Sequence, residues 1–244
     1  MRWTMARIRS RAGAWAVLLG AGCNAAGQVV TLHYHARPPY IQVQEGVLSG
    51  LTGSAAVAAF RASGVPFALK ETPESRQLKV VKDNEGPDCA IGWFKNAERE
   101  AFAKFTKPIY QDEPQIVLTA ADNTKIKTTD TIESVLANQD LRLLVKNSYS
   151  YGKALDALIE KYQPRRQTVS VENIQMFKMV QAQRADYLFT APEEAAVTIP
   201  IAGFHPNQFN RIKLAHMPKG EFRYILCSQQ VPDETIARLS AAIR

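Results

Sequence analysis

Runs of β-forming residues alternate with runs of helical periodicity from residue 29 to the end of the chain. Such alternation is typical of α/β proteins with parallel sheets. The predicted strands are 29–35, 66–72, 88–93, 115–120, 141–145, 167–171, 186–189, 212–215 and 222–228. The predicted helices are 51–62, 74–83, 129–138, 151–162, 173–183, a helix with Pro192 in its first turn, and 233–243. The series restarts after about residue 120 without a flexible linker, which predicts two lobes that share a cleft.

The first 27 residues have the three parts of a secretory signal peptide. Four arginines and no acidic residue precede an apolar run at 12–21, and small residues follow at 22–27. The apolar run is about half the length that a membrane-spanning helix needs. We therefore expect export to the periplasm with residues 1–27 removed. A lipid anchor at Cys23 is the alternative, although Gly20 stands where a lipoprotein signal has a large aliphatic residue.

The formal charge of +7 is concentrated in that segment. The chain has 30 basic and 23 acidic residues, and the four arginines of residues 1–27 leave 26 against 23, or +3. No long basic run remains, so nucleic acid is not a predicted partner.

Two cysteines remain outside the signal segment. Cys89 and Cys227 each lie in an apolar, strand-like run. In an oxidising compartment such a pair can form a disulfide. Two buried free thiols are the alternative, and the sequence leaves both open.

Motifs of known catalytic sites are absent from the sequence. We find no phosphate-binding P-loop, no dinucleotide glycine motif and no nucleophile elbow. His33 and His35 share a strand face, but no third metal ligand can be named, so they are interpreted as ordinary strand histidines. Arg165-Arg166 is interpreted as a solvated loop. We predict a protein that is not an enzyme and that needs no cofactor or metal.

Three segments are candidates for a small-ligand site. Residues 37–40 (Arg-Pro-Pro-Tyr) follow the first strand, at the edge where open α/β sheets bind ligands. Residues 92–99 follow a buried strand and end in Arg99, whose planar guanidinium suits a carboxylate. Residues 147–152 precede a helix, where hydroxyl and backbone N–H groups favour an anion. The alternatives are a packed loop tyrosine, a surface salt bridge of Arg99, and simple helix capping by Ser148 or Ser150.

Taken in order, these segments resemble the bacterial extracellular solute-binding proteins of the polar amino-acid type, the periplasmic binding proteins that serve ABC importers. The resemblance covers nearly all of residues 29–244, and it is the ordered set of segments that carries it. The matching segments are Pro38-Pro39-Tyr40, Leu48-Ser49-Gly50, Cys89-Ala90-Ile91-Gly92, Asn96-Ala97-Glu98-Arg99, Phe105-Thr106-Lys107-Pro108-Ile109-Tyr110, Ala182-Gln183-Arg184-Ala185-Asp186-Tyr187 and the stretch 224–243.

The resemblance implies a fold and a function. The fold is an α/β, two-lobed clamshell of the periplasmic-binding-protein type II class, with two crossover strands. Lobe 1 would comprise 28–118 plus 213–244, and lobe 2 would comprise 119–212. The function would be capture of a small polar, carboxylate-bearing solute such as an amino acid by a monomer. A permease of an ABC importer, or another membrane partner, would receive it.

The resemblance also implies roles for individual residues. The aromatic residue after Pro-Pro stacks on the ligand and the arginine holds its α-carboxylate, which assigns Tyr40 and Arg99. Donors of the second lobe near Ser148 complete the carboxylate site. The full set of candidate ligand-binding residues is Tyr40, Trp93, Asn96, Arg99, Ser148, Tyr149 and Glu193.

Several positions depart from the family pattern. Asn96 replaces a threonine, and Trp93 stands where smaller residues are common. The acid that usually holds the α-amino group is Ala191 here, and the nearest acids are Glu193 and Glu194. Two alternatives therefore stay open. One is an enzyme similar to cyclohexadienyl dehydratases, with Glu193 as a general acid, and the other is a ligand-sensing accessory protein.

Overall fold

The computed structural model describes Met1 and residues 28–244. The predicted signal peptide and the alternative lipid anchor at Cys23 lie outside the described residues. Among the described helices, none combines the length and the apolar character needed to cross a bilayer.

Twelve strands and eight α-helices alternate along the described chain, together with a 3₁₀ turn at 206–208. The strands are β1 (Val30–Tyr34), β2 (Gln42–Gln44), β3 (Val47–Ser49), β4 (Phe67–Glu71), β5 (Asp88–Phe94), β6 (Ala103–Gln111), β7 (Ile116–Ala120), β8 (Arg142–Lys146), β9 (Arg165–Val169), β10 (Leu188–Thr190), β11 (Phe209–Ile212) and β12 (Phe222–Ser228). The helices are α1 (Gly53–Ser63), α2 (Glu74–Asp83), α3 (Ala97–Glu100), α4 (Ile132–Ala137), α5 (Lys153–Tyr162), α6 (Asn173–Gln181), α7 (Pro192–Ile201) and α8 (Asp233–Ala242).

The strands form two main sheets. The first has the order β4-β1-β5-β12-β6, and the second has the order β10-β7-β11. β1 runs parallel to β4 and β5, whereas β12 runs antiparallel to β5 and β6. β7 is antiparallel to both of its neighbours, and β8 and β9 form a separate parallel pair. The prediction of parallel sheet is therefore correct for β1, β4, β5, β8 and β9, and wrong for β6, β7, β10, β11 and β12.

The two main sheets are packed by separate hydrophobic cores. Leu32, Phe60 and Ile225 belong to a core of the first sheet that also packs α1 and α8. Two further cores cover the second half of the chain, one around Leu143 and Tyr187 and the other around Leu144 and Phe177. These separate cores divide the described chain into two lobes. The expected boundary at 118/119 falls inside β7, which pairs only in the second sheet, so we propose that the first crossover lies between Gln111 and Ile116.

A disulfide joins the middle of the first sheet. Cys89 in β5 and Cys227 in β12 are directly paired across the antiparallel ladder and bonded through their sulfur atoms. Both cysteines are fully buried. Of the two alternatives that the sequence left open, the disulfide is confirmed.

Local expectations differ from the structure at several points. α4 begins at Ile132, three residues later than predicted, where Thr131 caps it by accepting the backbone N–H of Ser134. Arg165 and Arg166 are exposed residues of β9, so the solvated-loop interpretation is wrong about the backbone. The strand predicted at 212–215 lies at Phe209–Ile212. β2, β3 and β6 are additional strands, and β6 passes through Pro108 at the sheet edge, where a missing N–H is tolerated.

Candidate functional site

A cavity open to solvent lies between the two lobes. Tyr40 and Trp93 reach it from the first lobe, and Tyr149 and Phe189 reach it from the second. Its lining contains five charged side chains, namely Arg37, Glu74, Arg99, Glu194 and Arg223. The way in which these charges are paired decides what the cavity can bind.

The turn after β1 positions Tyr40 and Arg37. Arg37 and Ile41 exchange two backbone hydrogen bonds of 2.9 and 3.0 Å around the Pro38-Pro39 turn. Gly50 packs against this turn with φ +102°, and a Cβ there would lie 2.5 Å from the carbonyl oxygen of Tyr40. Only glycine allows that approach. The rigid turn holds Tyr40 2% exposed, with its hydroxyl 3.3 Å from carboxylate oxygens of both Asp112 and Glu193.

Arg223 and Asp112 form a buried bidentate ion pair behind Tyr40. Nε and Nη2 of Arg223 donate to the two carboxylate oxygens of Asp112 at 2.6 and 2.7 Å. Nη1 donates to the carbonyl oxygen of Gly92 at 3.0 Å. The guanidinium carbon lies 3.9 Å from the ring centre of Tyr40 and 4.5 Å from that of Phe94. The planar, positively charged guanidinium of Arg223 thus packs against the Tyr40 ring.

A second bidentate pair crosses between the lobes. Nε and Nη2 of Arg37 donate to Glu194 in α7 at 2.7 and 2.9 Å. Asn173 Nδ2 donates to the same carboxylate at 2.7 Å, and Thr190 Oγ1 lies 3.4 Å from it. The guanidinium of Arg37 also faces the Tyr149 ring at 5.1 Å. The carboxylate of Glu194 is therefore fully occupied by groups of the protein itself.

Glu74 joins the lobes at a neighbouring point. Its carboxylate accepts from Lys146 Nζ at 3.0 Å and from the Tyr149 hydroxyl at 2.6 Å. Arg37 Nη1 lies 3.4 Å from its other oxygen. Lys146 and Tyr149 belong to the second lobe, whereas Glu74 begins α2 in the first. These contacts and the Arg37–Glu194 pair join the two lobes beside the cavity.

Arg99 has a different environment from the other two arginines. It is 5% exposed, and within residues 28–244 no carboxylate lies within 4.0 Å of its guanidinium. Nη1 donates to the carbonyl oxygen of Phe94 at 2.8 Å, and Nη2 lies 3.4 Å from the carbonyl oxygen of Ser148. Its guanidinium carbon is 4.8 Å from the Trp93 ring centre. Burial lowers the pKa of Arg99 from its usual value, and the side chain remains a cation.

The structure brings four of the seven predicted site residues to the cavity. Tyr40, Trp93, Arg99 and Tyr149 line it. The other three do not: Asn96, Ser148 and Glu193 lie beside it. The Asn96 side chain caps α3 by accepting the backbone N–H of Arg99 at 2.9 Å, and Ser148 contributes its carbonyl oxygen to Arg99.

The position of Glu193 bears on the enzyme alternative. Burial raises the pKa of Glu193, with the nearby Asp112 and Glu113 adding to the effect. Its Oε1 lies 3.3 Å from the hydroxyls of Tyr40 and Tyr110, and its Oε2 is buried without a partner. A general acid needs to reach the substrate, and this carboxyl faces the back of Tyr40 rather than the cavity.

Sequence reasoning missed four charged residues that line the cavity. They are Arg37, Glu74, Glu194 and Arg223. Arg37 is the residue before the Pro-Pro pair, and Glu194 is one of the two acids nearest to Ala191 in the sequence. Both therefore lie in segments that the sequence analysis had already identified. Arg223 interrupts an apolar strand, which is itself a signal, because a lone arginine in such a run needs a buried partner. For Glu74, at the start of a helix, the sequence offers no signal.

Acid should weaken the contacts between the lobes. Burial opposes ionisation of both Glu194 and Glu74. The positive charge of Arg37 outweighs this effect for Glu194, and the charges of Arg37 and Lys146 outweigh it for Glu74. The pKa of each carboxyl therefore lies below its usual range. A carboxyl whose pKa is lower in the folded state adds stability above its unfolded pKa of about 4.3, and loses it as pH falls through the folded value. We expect the melting temperature to decrease when the pH is lowered below about 4.

Glu194→Gln tests that origin of the acid sensitivity. This variant should melt lower than the wild type at pH 7, because Arg37 loses its charged partner. The melting temperatures of the two proteins should converge as the pH falls through the folded-state pKa of Glu194, because the wild-type carboxyl then becomes protonated as well. Melting by circular dichroism between pH 7 and pH 3 measures both, and parallel curves would show that Glu194 contributes nothing to the acid response.

Comparison with known proteins finds similarity in structure but not in sequence. No family model matches the chain, and no curated protein matches it. Among solved structures, the arginine-, lysine-, histidine-binding protein ArtJ from Geobacillus stearothermophilus has a TM-score of 0.68 at 15% identity over 89% of this chain and 88% of its own.

Two further structures show the same likeness. The substrate-binding protein of an amino acid ABC transporter has a TM-score of 0.64 at 15% identity, covering 89% of this chain and 92% of its own. The VFT2 domain of BvgS from Bordetella pertussis has a TM-score of 0.67 at 15% identity, covering 88% and 86%. At these identities the likeness establishes a shared fold.

Proposed function

We propose that this chain, whose two-lobed α/β fold is that of the type II periplasmic binding proteins, captures a small polar, carboxylate-bearing ligand and delivers it to the permease of an ABC importer. The observation that carries the proposal is the cavity itself, which lies between the lobes and holds a buried arginine without a carboxylate partner among the described residues. Two structural neighbours support it, the arginine-, lysine-, histidine-binding protein ArtJ and the substrate-binding protein of an amino acid ABC transporter.

The proposal gives the predicted residues distinct roles. Arg99 binds the ligand carboxylate through its free N–H groups, with the Trp93 ring beneath it. Tyr40 and Tyr149 contact the body of the ligand from opposite lobes. Asn96 and Ser148 act through Arg99, because each fixes part of its backbone or guanidinium.

Closure would be a hinge movement of the two lobes. Contacts from Arg37 to Glu194 and from Lys146 to Glu74 exist only when the lobes are together. A ligand that touches both lobes stabilises the same state. Binding and closure are therefore coupled.

The export proposal has one structural support. The Cys89–Cys227 disulfide suits an oxidising compartment, in keeping with a signal peptide at 1–27. We propose a periplasmic monomer.

The Glu193 carboxyl lies away from the cavity, so we propose binding rather than catalysis. Turnover of prephenate or arogenate by the purified protein would reverse that choice.

A ligand screen tests the proposed function. Thermal shift over amino acids and organic acids, followed by calorimetry on each hit, should identify a ligand that stabilises the wild type. Arg99→Gln should weaken its binding by about tenfold to a hundredfold, because a charge-assisted hydrogen bond is lost. Arg61→Gln, an exposed arginine on α1, is the matched control and should bind as the wild type does. Equal affinity in Arg99→Gln would contradict the role of Arg99.

A further inference from the structure

We infer that the ligand is a small monocarboxylate that carries no ammonium group, rather than a zwitterionic amino acid. The inference rests on the proposed function and deepens it by naming the ligand class. It follows from which charges of the cavity are already paired within the protein.

Glu194 is the more deeply buried of the two acids that line the cavity. A carboxylate in this position could hold a ligand ammonium only through a free oxygen lone pair. Arg37 occupies both oxygens in a bidentate pair at 2.7 and 2.9 Å, and Asn173 adds a third donor at 2.7 Å. An ammonium would have to displace a planar guanidinium that is covalently part of the chain, and bidentate pairs of this kind are strong.

Glu74, the other acid in the lining, is also surrounded by donors of the protein itself. Lys146 Nζ at 3.0 Å and the Tyr149 hydroxyl at 2.6 Å share one oxygen, while Arg37 Nη1 lies 3.4 Å from the other. Two cations thus already face this carboxylate. A ligand ammonium brought here would meet Arg37 and Lys146 at close range, and like charges repel strongly where water is excluded.

Two of the three arginines that line the cavity are already paired with carboxylates. Arg37 is paired with Glu194, and Arg223 is paired with Asp112 at 2.6 and 2.7 Å. Of the three arginines that line the cavity, Arg99 alone has no carboxylate within 4.0 Å among the described residues. The cavity therefore presents one unmatched positive charge and no unmatched negative one. A ligand with a single carboxylate completes it, whereas a zwitterion brings a second charge that finds no partner.

Sets of three compounds with the same side-chain skeleton test whether the cavity excludes an ammonium group; we call each set a triad. Each triad contains a carboxylate, the corresponding α-amino acid and the corresponding amine. The first is 3-phenylpropanoate, L-phenylalanine and 2-phenylethylamine. The second is 4-methylpentanoate, L-leucine and 3-methylbutylamine. The phenyl and branched bodies suit the apolar side chains of the lining, among them Ile41, Ile91 and Phe189.

Calorimetry on the wild-type chain gives the deciding result. We expect at least one carboxylate to bind about tenfold or more tightly than its amino acid, and no amine to bind. An amino acid that binds as tightly as its carboxylate or more tightly overturns the inference and leaves the proposed function standing. Failure of every carboxylate and every amino acid to bind overturns the inference and the proposed function together.

Arg37→Gln supplies an independent readout. This variant frees the carboxylate of Glu194, so the amino acid of the best triad should gain affinity relative to its carboxylate. The double variant Arg37→Gln/Glu194→Gln is the matched control, because it removes the acid as well and should lose that gain. An unchanged preference in both variants would contradict the assignment of Arg37 as the group that excludes an ammonium. If Arg37→Gln does not fold, the wild-type triads decide the inference alone.

Discussion

Asp112→Asn is expected to lower the free energy of unfolding by about 3–5 kcal/mol, because it leaves the buried guanidinium of Arg223 without a counter-charge. Arg223 is 6% exposed and Asp112 is 4% exposed. The positive charge of Arg223 is balanced by its bidentate contact with Asp112. Its Nη1 group donates only to the carbonyl oxygen of Gly92, which carries no charge. Urea unfolding followed by circular dichroism measures the loss.

Two control variants separate the unpaired charge from the lost contacts. Asp83→Asn removes one partner of the solvent-exposed Lys79–Asp83 pair and should cost less than about 1 kcal/mol. Asp112→Leu/Arg223→Met replaces the whole buried pair by apolar side chains and should recover most of the loss. A loss below about 1 kcal/mol in Asp112→Asn would show that Arg223 finds another partner or water.

Removal of the disulfide should have an effect of similar size. Cys89 and Cys227 are 138 residues apart in sequence, and a cross-link across so long a loop restricts the unfolded chain strongly. The chain-entropy relation gives about 5 kcal/mol for a loop of this length, and measured losses run at about 2–5 kcal/mol. Cys89→Ala/Cys227→Ala should therefore unfold at a much lower urea concentration.

Reductant provides the internal control for that experiment. Wild-type protein unfolded and refolded with reductant should approach the stability of the double variant, whereas the double variant should not respond to reductant. β5 and β12, which the disulfide joins, also carry Trp93, Phe94 and Arg223. We therefore expect ligand affinity to fall as well. An unchanged urea midpoint in the double variant would contradict a stabilising role for the disulfide.

Local sequence patterns predicted most elements of the fold. α2 and β12 occupy the predicted ranges, and α7 begins at Pro192 as expected. The expected two-lobed α/β fold is confirmed by the solved structures of similar fold. These predictions succeeded for the same reason. The periodicity of apolar residues and the position of proline determine the local structure of short segments, which the sequence shows directly.

The candidate site was predicted less completely. Tyr40, Trp93, Arg99 and Tyr149 line the cavity, but the partners of the buried charges were not foreseen. Arg37 and Glu194 are 157 residues apart, and Asp112 and Arg223 are 111 residues apart. No local pattern links positions so distant, and on a helix such as α7 a difference of one residue turns a side chain by about 100°. That turn places Glu194 in the cavity and Glu193 behind Tyr40.

The amino-acid sequence alone thus determined the alternation of strands and helices, the division into two lobes, and the arginine and aromatic residues of the site, because these depend on local periodicity and residue type. The tertiary structure decided the charge pairing, because an ion pair depends on distances between side chains that only the packed lobes establish. Glu194 is paired with Arg37, Asp112 is paired with Arg223, and Arg99 is buried without a carboxylate partner among the described residues.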